Sequence, residues 1–105
     1  MPFEGKPLAD GQLPNAKGTL YTVPAARTAY VRTIVILNTN AAPQQVELYV
    51  NVSGTSRRIH REAALAQWAK IVLTDPIVLA EGDLIEGHTT TAAAVDYFIT
   101  GAEET

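Results

Sequence analysis

The sequence predicts an all-β fold, an antiparallel β-sandwich of jelly-roll-like character with about seven or eight short strands. Three observations predict it. Thr19 to Val52 holds three strand-like runs in succession with turn residues between them. One of these runs, Gln45 to Val52, alternates apolar and polar residues without a break. Turn signals then recur at short intervals to the C-terminus, and no clear helix intervenes.

Residues 1–18 come first. Pro2, Pro7 and Pro14 with Gly5, Gly11 and Gly18 leave no comfortable place for a regular element, so an extended N-terminal arm is expected. Such an arm could lie across a neighbouring subunit and bury Phe3, Leu8 and Leu13 there. The domain itself is expected over residues 19–101, with residues 102–105 as an acidic tail.

Leu20 to Val23 is a short apolar run closed by Pro24, and Ala29 to Leu37 is rich in β-branched and aromatic residues. Asn38 to Pro43 breaks that run. In the next strand, period two places Val46, Leu48, Val50 and Val52 on one face and Gln45, Glu47, Tyr49 and Asn51 on the other, giving one dry and one wet face. Ser53 to Ser56 reads as a loop and Arg57 to Arg61 as a short basic strand. Residues 62–73 fit two patterns: the alanines and the spacing of Leu65, Trp68 and Ile71 suit a helix, whereas Gln67 to Leu73 suits a strand. A strand is expected there, after one helical turn at Arg61 to Leu65. Short strands at Pro76–Leu79 and Leu84–Gly87 flank a tight turn at Ala80–Asp83, with Gly82 at a position tolerant of positive φ. An alternating strand at Ala94–Thr100 ends the series.

A chain of 105 residues is one domain with one modest core. It has no cysteine, which excludes disulfides, thiolate metal sites and a cysteine nucleophile. A domain this small without disulfides gains stability from oligomerisation. No signal-peptide pattern and no bilayer-length apolar run is present, so no membrane association is expected. The net charge of −3 is divided unevenly: every Lys and Arg lies at or before Lys70, and seven acidic residues follow it. Opposite-sign patches of that kind can steer identical subunits together, and equally can mix on one sandwich surface.

Candidate chemistry is sparse. His60 and His88 would need an acidic third ligand to hold zinc, and His60 stands among arginines that repel a cation. Ser53 and Ser56 lie in no catalytic signature. Asp83 and Glu86 could pair as acid and base, but they flank a turn where acids serve geometry. Neither a catalytic residue, a metal site nor a cofactor is expected. Arg57, Arg58 and Arg61 with Tyr49 and Trp68 could grip a nucleic acid. They also serve to protect a sheet edge, and a pI near 5.2 disfavours nucleic acid.

Several segments together resemble small β-sandwich virion proteins of tailed bacteriophages. These are Thr19-Leu20-Tyr21-Thr22-Val23-Pro24-Ala25, the strand Val31 to Leu37 ending in Asn38-Thr39, the turn in Ile77 to Ile85 that contains Gly82-Asp83, and the closing strand Val95 to Gly101. The resemblance covers roughly residues 18–101. It implies a non-enzymatic structural protein of the particle, present in many copies as a homo-oligomer, plausibly a homotrimer. Its partners would be itself and the major capsid or other virion proteins, and its place the virion, assembled in the host cytoplasm. Capsid decoration is the first expectation, and a tail or fibre part the alternative. A carbohydrate-binding or a nucleic-acid-binding module is expected less. Contact surfaces are expected at Phe3, Leu8 and Leu13 of the arm, with Arg57, Arg58 and Trp68 as a second set.

Overall fold

The computed structural model describes the backbone of residues 3–104 and the side chains of residues 7–104. Nine strands form among them: β1 (Phe3–Gln12), β2 (Gly18–Thr22), β3 (Thr28–Asn38), β4 (Gln44–Val52), β5 (Thr55–Leu65), β6 (Lys70–Leu73), β7 (Ile77–Leu79), β8 (Leu84–Thr89) and β9 (Val95–Glu104). They make two antiparallel sheets. Sheet A has the order β1-β9-β3-β6, with β7 also on β3, and sheet B the order β2-β8-β4-β5. The expected all-β sandwich is therefore observed, with longer strands than anticipated.

The topology follows from one folded ribbon. Ser53 and Gly54 both have positive φ, 54° and 86°, and join β4 to β5 as a two-residue hairpin of the kind that suits strand twist. Moving outward from that hairpin, β3 pairs with β6 and β7, β2 with β8, and β1 with β9. This is jelly-roll connectivity. The strand opposite β3 is split because Asp75-Pro76 interrupts it, and proline has no N–H to give to a ladder.

The core lies between the sheets. Val31, Ile34 and Ile36 of β3, Val46 and Leu48 of β4, Ile85 of β8 and Ile99 of β9 are almost fully buried. Each such side chain contributes roughly 1.5–3 kcal/mol by leaving water. In β3, Val31 and Ile34 both face inward, although they are three apart, because a bulge at Arg32 shifts the phase. A polar contact also ties the sheets: the Tyr21 hydroxyl of β2 donates to the buried carboxylate of Glu103 on β9, which Arg27 approaches at 3.9 Å. Burial, then the hydrogen bond and charge of Glu103, push the Tyr21 phenol well above its ordinary pKa.

Three expectations need correction. Residues 3–12 are a strand, paired with β9 from Phe3↔Glu104 to Gln12↔Asp96. Proline is tolerated there because β1 is an edge strand. Glu103 and Glu104 belong to β9 and do not form a tail. The segment Arg61–Leu65 has no helical turn, since β5 runs on to Leu65 with Glu62 opposite Val46 and Leu65 opposite Gln44. The turn comes later, at Gln67–Trp68.

Gly101 marks the tightest backbone approach: a Cβ there would lie 2.0 Å from the Tyr30 carbonyl oxygen. Gly101→Ala is expected to destabilise the fold by at least about 3 kcal/mol, measured by urea unfolding. A variant as stable as the parent would contradict this close approach of β9 to β3.

Candidate interaction surfaces

The outer face of sheet B carries a polar cluster built by register. On β4, Glu47 and Tyr49 point outward; Glu47 stands opposite His88 and Arg61, and Tyr49 opposite Glu86 and Arg58. The Glu47 carboxylate is the hub. It accepts from the Tyr49 hydroxyl at 3.0 Å and from Gln45 Nε2 at 2.6 Å, and meets Arg58 Nε at 2.6 Å, Arg61 at 3.9 Å and His88 at 4.0 Å. Lys17 lies 4.9 Å and Arg58 5.5 Å from the Tyr49 ring centroid, while the His88 ring stacks beside it. Lys17 also donates to Ser56, whose hydroxyl donates to Glu86. This face is internally satisfied, and cations cover the Tyr49 ring that a sugar or base would stack upon.

The other acidic candidate, Asp83, is structural. Its carboxylate accepts the amides of Ala80 and Ser53, and its own carbonyl accepts Val23 N–H while Gly82 N–H donates to the Val23 carbonyl. The Gly82-Asp83 turn thus locks onto the end of the Leu20–Val23 run, so these two matching motifs hold each other. Glu86 is engaged elsewhere, with Ser56. His60 pairs across from Leu48 and His88 from Glu47, so the two histidines belong to opposite faces of sheet B.

A second surface is apolar. At one edge of the sandwich β5 stands away from β7, and the gap is a groove of about 510 Å³. Its walls are Val50, Val52, Ile59, Ile77 and Leu79, with the Arg57 guanidinium at hand. Arg57 makes no ion pair with any described residue, in contrast to Arg58.

A third feature sits at the far end of the same edge. Trp68, 65 % exposed, occupies the β5–β6 turn with a positive φ of 62°, a conformation uncommon for a bulky residue. The fully buried Asn38 fixes that turn. Its carbonyl accepts Trp68 N–H at 2.7 Å, its N–H donates to the Ala69 carbonyl, and its side-chain amide donates to the Leu65 and Ala42 carbonyls. Finally, the outer face of sheet A shows Val72, Val35 and Phe98 side by side on β6, β3 and β9, with Val72 and Phe98 well exposed.

Of the residues expected to form contacts, Phe3 has its side chain outside the described set. Leu13 is fully buried in the chain's own core and Leu8 packs against that core, so neither offers an arm to a neighbour. Arg57 and Arg58 are neighbours in sequence on opposite faces of β5, one at the groove and one on Glu47. Trp68 is exposed and lies far from both. The groove walls, Phe98 and Asn38 were missed. Val72 between Ile71 and Leu73, and Phe98 beside Ile99, were legible signs of strands apolar on both faces.

No protein-family model matches the chain, and no curated protein sequence matches it significantly. Among solved structures it is similar to part of a Bacteroides thetaiotaomicron protein named as an alpha-L-fucosidase. That TM-score is 0.55 at 13 % identity, over 95 % of this chain and 22 % of the other. This chain thus spans under a quarter of that protein's length. Looser likenesses are the nucleoplasmin-like N-terminal domain of Drosophila FKBP39 (TM-score 0.47, 13 % identity, 98 % and 89 % covered) and a structure of infectious bursal disease virus, Gt strain (0.45, 10 %, 97 % and 32 %). At 13 % identity the first likeness is one of fold alone.

The Glu47 hub has a pH signature. Burial alone would raise its pKa, but the Tyr49 hydrogen bond, then Arg58 and His88, bring it below the usual 4.5. A depressed carboxylate stabilises the fold above its unfolded pKa and loses that contribution as pH falls through the folded value. Glu47→Gln should therefore flatten the loss of stability between about pH 5 and about pH 2, read from denaturant unfolding across that range. An unchanged acid slope would contradict this role.

Proposed function

We propose that this chain is a non-enzymatic structural protein of a tailed-phage particle, and that it decorates the capsid as a homo-oligomer, a trimer by first expectation. It works by contact and uses no cofactor. Many copies, each bridging capsid subunits, would oppose internal pressure through buried apolar area with a polar rim.

The observation that carries this reading is the placement of apolar side chains left in water. They occupy two separate regions: the β5–β7 edge with Trp68, and the outer face of sheet A with Val72 and Phe98. A decorating oligomer needs two kinds of contact, one with its own copies and one with the particle. The edge suits the first and the sheet face the second. The sequence resemblance to virion sandwiches supports the same reading, and its motifs fall on turns and strands that build the frame. The Glu47 face, already satisfied and with its tyrosine ring covered, is a poorer candidate for glycan or nucleic acid.

Purified particles from the phage that encodes the chain are expected to contain it in many copies per head, by quantitative mass spectrometry. Val72→Thr with Phe98→Thr should weaken attachment to heads at least about tenfold while leaving oligomer mass unchanged. A chain missing from particles, or tail-only recovery, would contradict capsid decoration.

A further inference from the structure

The β5–β7 groove and the Trp68 turn are complementary but cannot meet within one molecule. Trp68 lies at the level of Asn38, whose carbonyl holds it, whereas Ile77 and Leu79 pair with Val31 and Ala29. Seven residue steps along β3 separate Asn38 from Val31, roughly 23 Å at about 3.3 Å each. An indole does not span that distance.

We propose that Trp68 of one copy seats in the β5–β7 groove of the next. This contact rests on the self-assembly proposed above and names the residues that would make it. The knob is prepared for the purpose: the largest exposed apolar side chain sits on a rigid turn, held through the buried Asn38 at a backbone angle that bulky residues rarely adopt. The hole is apolar and, at about 510 Å³, has room for an indole, and the unpaired cation of Arg57 beside it suits the face of that ring. The flanks also carry opposite charges. Lys70, two residues after Trp68, and Asp75, two before Ile77, are both exposed, and neither pairs with a described residue. Burying one tryptophan removes about 150–250 Å² from water, which is typical of an interface anchor. One such contact per copy, repeated head to tail, closes a ring when the rotation permits, and three copies meet the trimer reading.

The chain has a single tryptophan, so its fluorescence reports this site alone. In the assembled protein Trp68 should emit to the blue of free tryptophan and resist iodide quenching, and dilution should reverse both. Trp68→Asn keeps the turn, since asparagine tolerates positive φ, and removes the knob. Ile59→Asp spoils the hole and keeps the knob. Each should weaken self-association at least about thirtyfold with unfolding curves close to the parent's. Mixed together, the two variants retain one intact knob and one intact hole, and native mass should show a one-to-one heterodimer. An oligomer whose Trp68 stays exposed and quenchable, and which survives both substitutions, would overturn the contact while sparing self-assembly. A parent that stays monomeric at high concentration would overturn both.

Discussion

Asn38 is the constraint on which the Trp68 end of the β5–β6 edge depends. It ends β3 inside the protein, where every backbone polar group must find a partner, and it supplies partners to two separate turns. Its side-chain oxygen accepts the Asn40 amide and its side-chain amide serves the Ala42 carbonyl, which shapes the β3–β4 turn. The same amide donates to Leu65, and its main chain exchanges bonds with Trp68 and Ala69. A buried amide with all of these partners is rigid, and removal of any one would leave an unsatisfied group at a cost of about 1–3 kcal/mol. Trp68 is presented to solvent by this network, and not by a loose loop.

The sandwich itself explains why an apolar groove survives beside it. Sheet B ends in β5, a strand of 11 residues with few buried positions. Sheet A ends on that side in two short pieces, β6 and β7, because Pro76 breaks the ladder. The edges therefore do not close over one another, and Val52 and Ile59 remain partly in water. The arginines of β5 fit this arrangement: they discourage indiscriminate strand addition along an open edge.

Much of the frame was legible in the sequence because it follows period two. β4 and β9 were visible from apolar residues in alternation, β3 from its β-branched and aromatic residues, and the Gly82-Asp83 turn from its residue types. β1 was hidden because its proline and glycines read as punctuation, when an edge strand can accommodate them. The Arg61–Leu65 helical turn was suggested by alanines whose local preference lost to pairing with β4. Arg57 and Arg58 were grouped as one patch, although adjacent residues of a strand face opposite ways. The position of Trp68 in a left-handed turn, and the hub role of Asn38, depend on chain segments some thirty residues apart, and no local pattern carries that information.

Under the proposed contact, the open β5–β7 edge and its Trp68 turn, and not an interior cleft or the N-terminal segment, are where the protein meets its own copies. Hydrogen exchange compared between dilute and concentrated protein tests this most directly. Added protection is expected in the groove strands, Thr55–Ile59 and Ile77–Leu79, and in the turn 66–70, with β1 unchanged. Added protection confined to β1, or none along the β5–β7 edge in an assembled sample, would contradict it.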